Sequence, residues 1–297
     1  MGILDYGLSK WINRDYVLSP PPRTAYLVCA TPRSGSTLLC ETLRATAVAG
    51  VPLEHFEVFR HSSQPRQPRE YFDEAADPRV VELLAPLDPP RHDPEPSAEW
   101  WARILREGTS PNGVWGGKLM WNHVPDMLDR VHDLDGLGDA DLDTALRALL
   151  GDDLLLVRVT RPDKVAQAVS LWRAVQTQTW RAGRERGAGE AEYAFAGIDH
   201  LVRQLTEQDA AWRAWLDETG RSALEISYDE LAADVGGTVG RILGALGVEH
   251  DEVPAPATRR QGDARSEEWA ERYRAERAAR DADGDEDAEA ASQGAPA

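Results

Sequence analysis

Thr31-Pro32-Arg33-Ser34-Gly35-Ser36-Thr37 combines a fixed positive charge, a glycine and a run of hydroxyl side chains. An apolar run, Tyr26 to Ala30, precedes it, and a helical pattern from about Leu38 follows. Strand, small-residue loop, helix is an arrangement that aims backbone N–H groups and a helix N-terminus at an anion. Gly35 lets the backbone approach a ligand, Ser34, Ser36 and Thr37 supply donors, and Arg33 supplies charge. This is not a Walker A loop: no lysine precedes Ser36 or Thr37, and the first glycine of that motif is missing.

Three further groups could do chemistry. Glu54, in Leu53-Glu-His-Phe56, is a carboxylate shortly after the anion loop. Beside the loop's mouth it could take a proton from a hydroxyl nucleophile; in solvent it would be an ordinary glutamate. Lys118 lies in the apolar stretch Val114-Trp-Gly-Gly-Lys-Leu-Met120, so it either snorkels outward or points into a site. Trp115 and Trp121 flank it. Aromatic faces can stack on sugars, but tryptophans near glycines are more often core. Arg161 opens a second polar turn, Thr160-Arg-Pro-Asp163, after the apolar run Leu154–Val159. Ser170 follows it on a helical face shared with Gln167 and Ala174. Nine residues separate Arg161 from Ser170, about 13 Å if wholly helical. Both could reach one phosphate only if the first residues are a loop and the arginine folds along the helix.

The elements that must hold these groups alternate between strand and helix. Strands are expected at Tyr26–Ala30, Val114–Met120, Asp152–Thr160 and Ser222–Tyr228. Helices are expected at Thr37–Ala47, Ala75–Leu84, Ser97–Arg106 (capped by Ser97), Pro125–His132, Asp141–Leu150, from Pro162 onward, Glu190–Leu216, Asp229–Leu246, and from a cap at Ser266 to about Arg280. The pattern predicts an α/β fold with a parallel central sheet flanked by helices. Residues 1–23 read as a leader ending in a proline run, 24–280 as one domain, and 281–297 as a disordered acidic tail. Thr258–Ser266, with Arg259, Arg260 and Arg265, reads as a loop able to close over an anion.

The formal charge of −18 argues against non-specific nucleic-acid binding but leaves room for a compact arginine cluster around a small anion. Cys29 and Cys40 are the only cysteines and read as small buried hydrophobes. No Cys/His spacing points to zinc, and no apolar run is long enough to span a membrane. A cytoplasmic setting is expected.

Pro32-Arg-Ser-Gly-Ser-Thr37 resembles the 5′-phosphosulfate loop of sulfotransferases that use 3′-phosphoadenosine 5′-phosphosulfate (PAPS), and Arg161-Pro-Asp with Ser170 resembles their 3′-phosphate motif. Several stretches are similar to one branch, the mycobacterial trehalose 2-sulfotransferases: Thr24–Val28, Gln67–Glu70, Pro111–Asn122, Gln167–Ser170, Trp172–Thr177, and Arg265-Ser266 with Glu268-Trp269. The resemblance implies a P-loop-like fold, a homodimer and metal-free sulfuryl transfer from PAPS to a sugar hydroxyl. It implies that Arg33, Ser34, Gly35, Ser36 and Thr37 hold the 5′-phosphosulfate, and Arg161 and Ser170 the 3′-phosphate. Tyr228 would contact adenine, and Arg260 and Arg265 the nucleotide. Glu54 would be the general base, and Lys118 would steady the sulfuryl group or leaving phosphate. His55 and His123 depart from the branch's pattern and could face the acceptor with Trp115 and Trp121.

Other functions stay open at this level. One keeps the chemistry but changes the acceptor to a hydroxylated or glycosylated natural product. The others are a P-loop kinase or nucleotide hydrolase, against which the missing Gly-Lys counts, and a nucleotide-binding protein without catalysis.

Overall fold

The computed structural model describes residues 20–57, 71–72, 77–84, 95–180, 190–250, 253–255 and 264–293, with side chains of the last helix through residue 283. The leader through residue 19, Gln64–Arg69, Arg181–Gly189, Arg259, Arg260 and the last four residues lie outside them.

Four strands, β1 (Thr24–Ala30), β2 (Val114–Met120), β3 (Leu155–Thr160) and β4 (Ala223–Ser227), form one parallel sheet in the order β2-β1-β3-β4. β1 is central and buried on both faces, which is why it reads as a continuous apolar run. Its alternation splits the core. Ala25, Leu27 and Cys29 face Trp115, Leu119 and Leu156 together with helices α3 (Ser97–Gly108), α4 (Val124–His132), α5 (Leu142–Leu150) and α7 (Phe195–Thr219). Tyr26, Val28 and Ala30 face α1 (Ser36–Ala45), α8 (Tyr228–Ala233) and α9 (Val235–Ala245). A third cluster joins α6 (Lys164–Thr177), α7 and α10 (Ala264–Gln293) through Trp172, Ile198, Leu201, Leu205, Trp269 and Tyr273. The short α2 is Pro78–Glu82.

β1 leads into α1 on one face, while β3 leads into α6, which packs on α7 of the opposite face. Ligands of open α/β sheets bind outside the carboxyl ends of the strands where the chain diverges in this way. Trp212 of α7 donates its indole N–H to the Ala30 carbonyl (3.0 Å), pinning that helix to the end of β1.

Several boundaries differ from the sequence reading. α6 begins at Lys164, not Pro162, because the Asp163 carboxylate accepts the Ala166 N–H and caps it. Ser97 is the first residue of α3 rather than its cap; its hydroxyl donates to Asp133. The stretch expected as one helix over Asp229–Leu246 is two, split at Asp234, whose carboxylate accepts from Gly237 N–H and caps α9. The helix expected to stop near Arg280 continues to Gln293, through Ala- and Glu-containing sequence without proline. None of the described helices is long and apolar enough to cross a membrane.

Candidate active site

The β1–α1 loop leaves the sheet through Thr31 and turns sharply. Arg33 takes φ 63° and Gly35 φ 95°, both left-handed. A Cβ on Gly35 would lie 2.7 Å from the Tyr228 ring, so this position requires glycine for both reasons. Ser36 and Thr37 open α1 directly, leaving the first N–H groups of that helix at the loop. Ser34 is fully buried, and its hydroxyl has no hydrogen-bond partner among the described residues.

The loop after β3 meets it. Arg161 donates to the Arg33 carbonyl (3.3 Å), and its guanidinium lies 4.5 Å from the Tyr228 ring centroid. Arg33 in turn donates through Nε to Ser170 Oγ (3.0 Å) and through Nη1 to the Trp180 carbonyl (2.8 Å). Residues 161–163 precede α6, and Arg33 touches both Arg161, through its carbonyl, and Ser170, through its side chain. Arg33, Arg161, Ser170 and Tyr228, from the ends of three strands and one helix, form one basic, partly aromatic cluster.

A second group of polar side chains is built at the β2 edge of the sheet. Leu53 pairs in parallel with Gly117 beside β2, and Lys118 N–H donates to the Leu53 carbonyl (2.9 Å). The next residue, Glu54, is thereby set against Lys118. Lys118 Nζ lies 2.8 Å from Glu54 Oε1 and 3.4 Å from Thr37 Oγ1. The lysine side chain is only 5% exposed and points inward, so it does not snorkel. It joins the carboxylate to the anion loop.

Other candidates fall elsewhere. Trp115 is fully buried in the core, and its indole N–H donates to the Ile104 carbonyl. His55 is fully buried, with Nε2 2.8 Å from the Val51 carbonyl and its ring packed near Trp115. Trp121 and His123 belong to a 3-10 turn directly after β2, at the carboxyl end of the parallel strands. Trp121 packs edge-on against Trp212, and His123 is buried. Arg265 lies not in a loop but in the first turn of α10, where it pairs with Glu190 and lies over Trp269. The neighbouring Ser266 accepts from Arg173 of α6. Arg260 is outside the described residues. The sequence placed Gln167 on a helical face with Ser170 and in a stretch resembling the family, but gave it no role. It is fully buried and donates to Thr31 and Pro32 of the loop. Its spacing from Ser170 was the available signal.

The arrangement can hold a ligand with separated anionic groups and place a carboxylate near one of them. Among the described residues no group of three or more His, Cys, Asp or Glu is placed to hold a metal ion. The profile of the Stf0 sulphotransferases matches residues 25–276. A trehalose 2-sulfotransferase of Mycolicibacterium smegmatis is 45% identical over 253 residues, covering 84% of this chain and 94% of that protein. Another protein of that name, from Mycobacterium tuberculosis, is 43% identical over 252 residues, with the same coverage.

Proposed function

The chain belongs to the Stf0 sulphotransferase family, and from that premise we propose that it transfers a sulfuryl group from PAPS to a carbohydrate hydroxyl, the 2-hydroxyl of trehalose or of a related glycoside. The observation that carries this reading is the link Glu54–Lys118–Thr37, which ties a candidate base to the anion loop through one ammonium group.

The residues present fit a nucleotide donor. Ser34 offers a buried hydroxyl without a partner among the described residues, and Gly35 keeps side-chain bulk out of the crowded turn beside Tyr228. Arg33 to Thr37 would hold the 5′-phosphosulfate, Arg161 and Ser170 the 3′-phosphate, and Tyr228 the adenine, with Arg260 and Arg265 contributing from the C-terminal segment. When bound, PAPS supplies an activated sulfuryl group on a phosphate leaving group. The protein's own work is positioning, charge and one proton. Glu54 accepts the proton of the attacking hydroxyl, worth about 10²–10⁴-fold in rate. Lys118 and Arg33 place positive charge where negative charge develops, and the loop N–H groups add donors. No metal enters this scheme.

Among acceptors, trehalose is favoured over a hydroxylated natural product. The motive for the latter lay in His55 and His123, and His55 is turned into the core on the Val51 carbonyl. The same reading makes the protein a cytoplasmic homodimer, whose mass light scattering would measure.

The test is incubation with PAPS and trehalose, followed by mass spectrometry and NMR of the product. Trehalose carrying one sulfo group at position 2 is the expected outcome. Product from other glycosides but none from trehalose would overturn the acceptor. No nucleotide-dependent product from any sugar would overturn the activity.

A further inference from the structure

The β1–α1 loop holds a non-glycine residue, Arg33, in left-handed backbone. Such a conformation persists only where its surroundings over-determine it. Arg161 grips the loop from one side, at the Arg33 carbonyl. From the other side it is gripped by a residue without a role in the proposed chemistry. Gln167, fully buried in α6, donates its amide Nε2 to Thr31 Oγ1 (2.9 Å) and to the Pro32 carbonyl (2.7 Å). Thr31 is itself fully buried.

The amide has only one workable orientation. Its Oε1 accepts from Lys164 Nζ (3.3 Å), so a flip would turn oxygen toward the Pro32 carbonyl and NH₂ toward an ammonium. Lys164 pairs with Asp209 of α7 (2.8 Å), and Asp209 with Arg158 of β3 (2.9 Å), which is 3% exposed and also reaches Glu225 of β4. A polar chain thus runs from the anion loop beneath the site into the central sheet. Hydrogen-bonded polar chains that are largely shielded from water hold the groups they touch in one arrangement.

We propose that Gln167 is a positioning residue that holds the β1–α1 loop in its anion-binding conformation, with Lys164 and Asp209 fixing the direction of its amide. Gln167 and Ser170 lie on one face of α6. The helix that offers a hydroxyl to one phosphate therefore also sets the loop for the other. The ligand part of this inference rests on the sulfotransferase reading; the loop part does not.

The experiment is calorimetric titration of wild type, Arg161→Ala and Gln167→Met with three ligands: 3′-phosphoadenosine 5′-phosphate, AMP and adenosine 3′-phosphate. Methionine keeps the volume of glutamine and removes both donors. The affinity gained from the 5′-phosphate, read from adenosine 3′-phosphate against the bisphosphate, should fall about tenfold in Gln167→Met, the effect of one lost buried hydrogen bond. The gain from the 3′-phosphate, read from AMP against the bisphosphate, should stay within about twofold, the scatter expected for an undisturbed contact. Arg161→Ala should lower the 3′-phosphate gain most and, because it also removes the tie to the Arg33 carbonyl, the 5′-phosphate gain to a lesser degree. Lys164→Met, which leaves both donors in place, should give a smaller loss of the same kind. Equal loss of both gains, or loss of neither, would overturn the proposal. If wild type shows no preference for the bisphosphate, the donor reading fails instead. Hydrogen exchange at residues 33–37 then decides the loop part: faster exchange in Gln167→Met supports it, and unchanged exchange overturns it.

Discussion

β3 and β2 flank the same central strand, and both carry polar residues toward the same edge, yet they treat them differently. β3 keeps its buried Arg158 inside an ion network and delivers Arg161 just past its end, where the residue meets Arg33 and Tyr228. β2 carries its functional candidate within the strand. Lys118 is buried among apolar neighbours and reaches the site only because Leu53 adds to the sheet edge and brings Glu54 beside it. Two buried cations in adjacent layers of one sheet thus have different partners. Arg158 is held by Asp209 and Glu225, away from the anion loop, whereas Lys118 is shared between a carboxylate and a loop hydroxyl. The proposed donor side is assembled from strand ends, and the proposed acceptor side from a strand interior and one isolated bridge.

The largest effect that could break this comparison is at Glu54. Glu54→Gln preserves an acceptor oxygen for Lys118 but removes the base. Turnover should fall about 10²–10⁴-fold, while calorimetric affinity for 3′-phosphoadenosine 5′-phosphate stays within about twofold. A comparable fall in nucleotide affinity would mean that Glu54 serves the donor side, and the division between the halves would dissolve.

Next comes Arg161. Arg161→Ala removes a guanidinium that holds the Arg33 carbonyl and faces Tyr228. Charge-assisted hydrogen bonds are worth about 1.5–3 kcal/mol, so the advantage of the 3′-phosphorylated nucleotide over AMP should shrink roughly 10–100-fold. Turnover at saturating donor should change far less. If turnover collapses instead, Arg161 acts on the reacting end and the two strand ends are not functionally distinct.

The same contrast explains what could be read in the sequence. The parallel sheet, its four strands and the two anion turns were legible because buried parallel strands are continuous apolar runs and the polar turns between them are short. Arg33, Arg161 and Ser170 stood out as motifs at strand ends and on one helix face, whereas Tyr228 was named only through the family resemblance. Their meeting was not legible, because it depends on the strand order β2-β1-β3-β4. On the acceptor side the aromatic signal divided. Trp115 lies inside β2, where alternate residues point into the core, while Trp121 follows the strand's end. Glu54 could be named but not paired, since an isolated bridge leaves no periodic trace. Arg265 was expected in a loop because the glycine before it hid the start of α10.

A pH titration sharpens the comparison at the scaffold under the donor loop. Burial raises the Cys40 thiol in α1 to about 11 from a usual value of 9.0, outweighing the neighbouring Lys118 charge that lowers it. Burial also raises the thiol of Cys29 and, well above its usual range, the phenol of Tyr26, both in β1. Each group keeps its proton in the folded protein at pH values where the unfolded chain releases it. Stability is therefore unaffected below about pH 9 and falls as the pH rises from there toward 11, by ~1.4 kcal/mol per unit for each thiol. Denaturant midpoints across that range should decline steeply, and Cys40→Ala should make the decline shallower. A flat profile would mean that the layer beneath the loop admits water.

The smallest expected effect is the most discriminating for the acceptor side. Trp115 is fully buried, donates to the Ile104 carbonyl, and packs against Phe56 and His55. Trp115→Phe retains an aromatic ring but leaves that carbonyl without its indole donor. Denaturant unfolding should show a loss of about 1 kcal/mol. The acceptor KM should stay within about twofold of wild type, since a residue that only packs the strand has no differential contact with the sugar. A rise in acceptor KM without loss of stability would put Trp115 at the sugar. β2 would then serve the site from both of its faces, and the contrast between strand interior and strand end would no longer separate core from function.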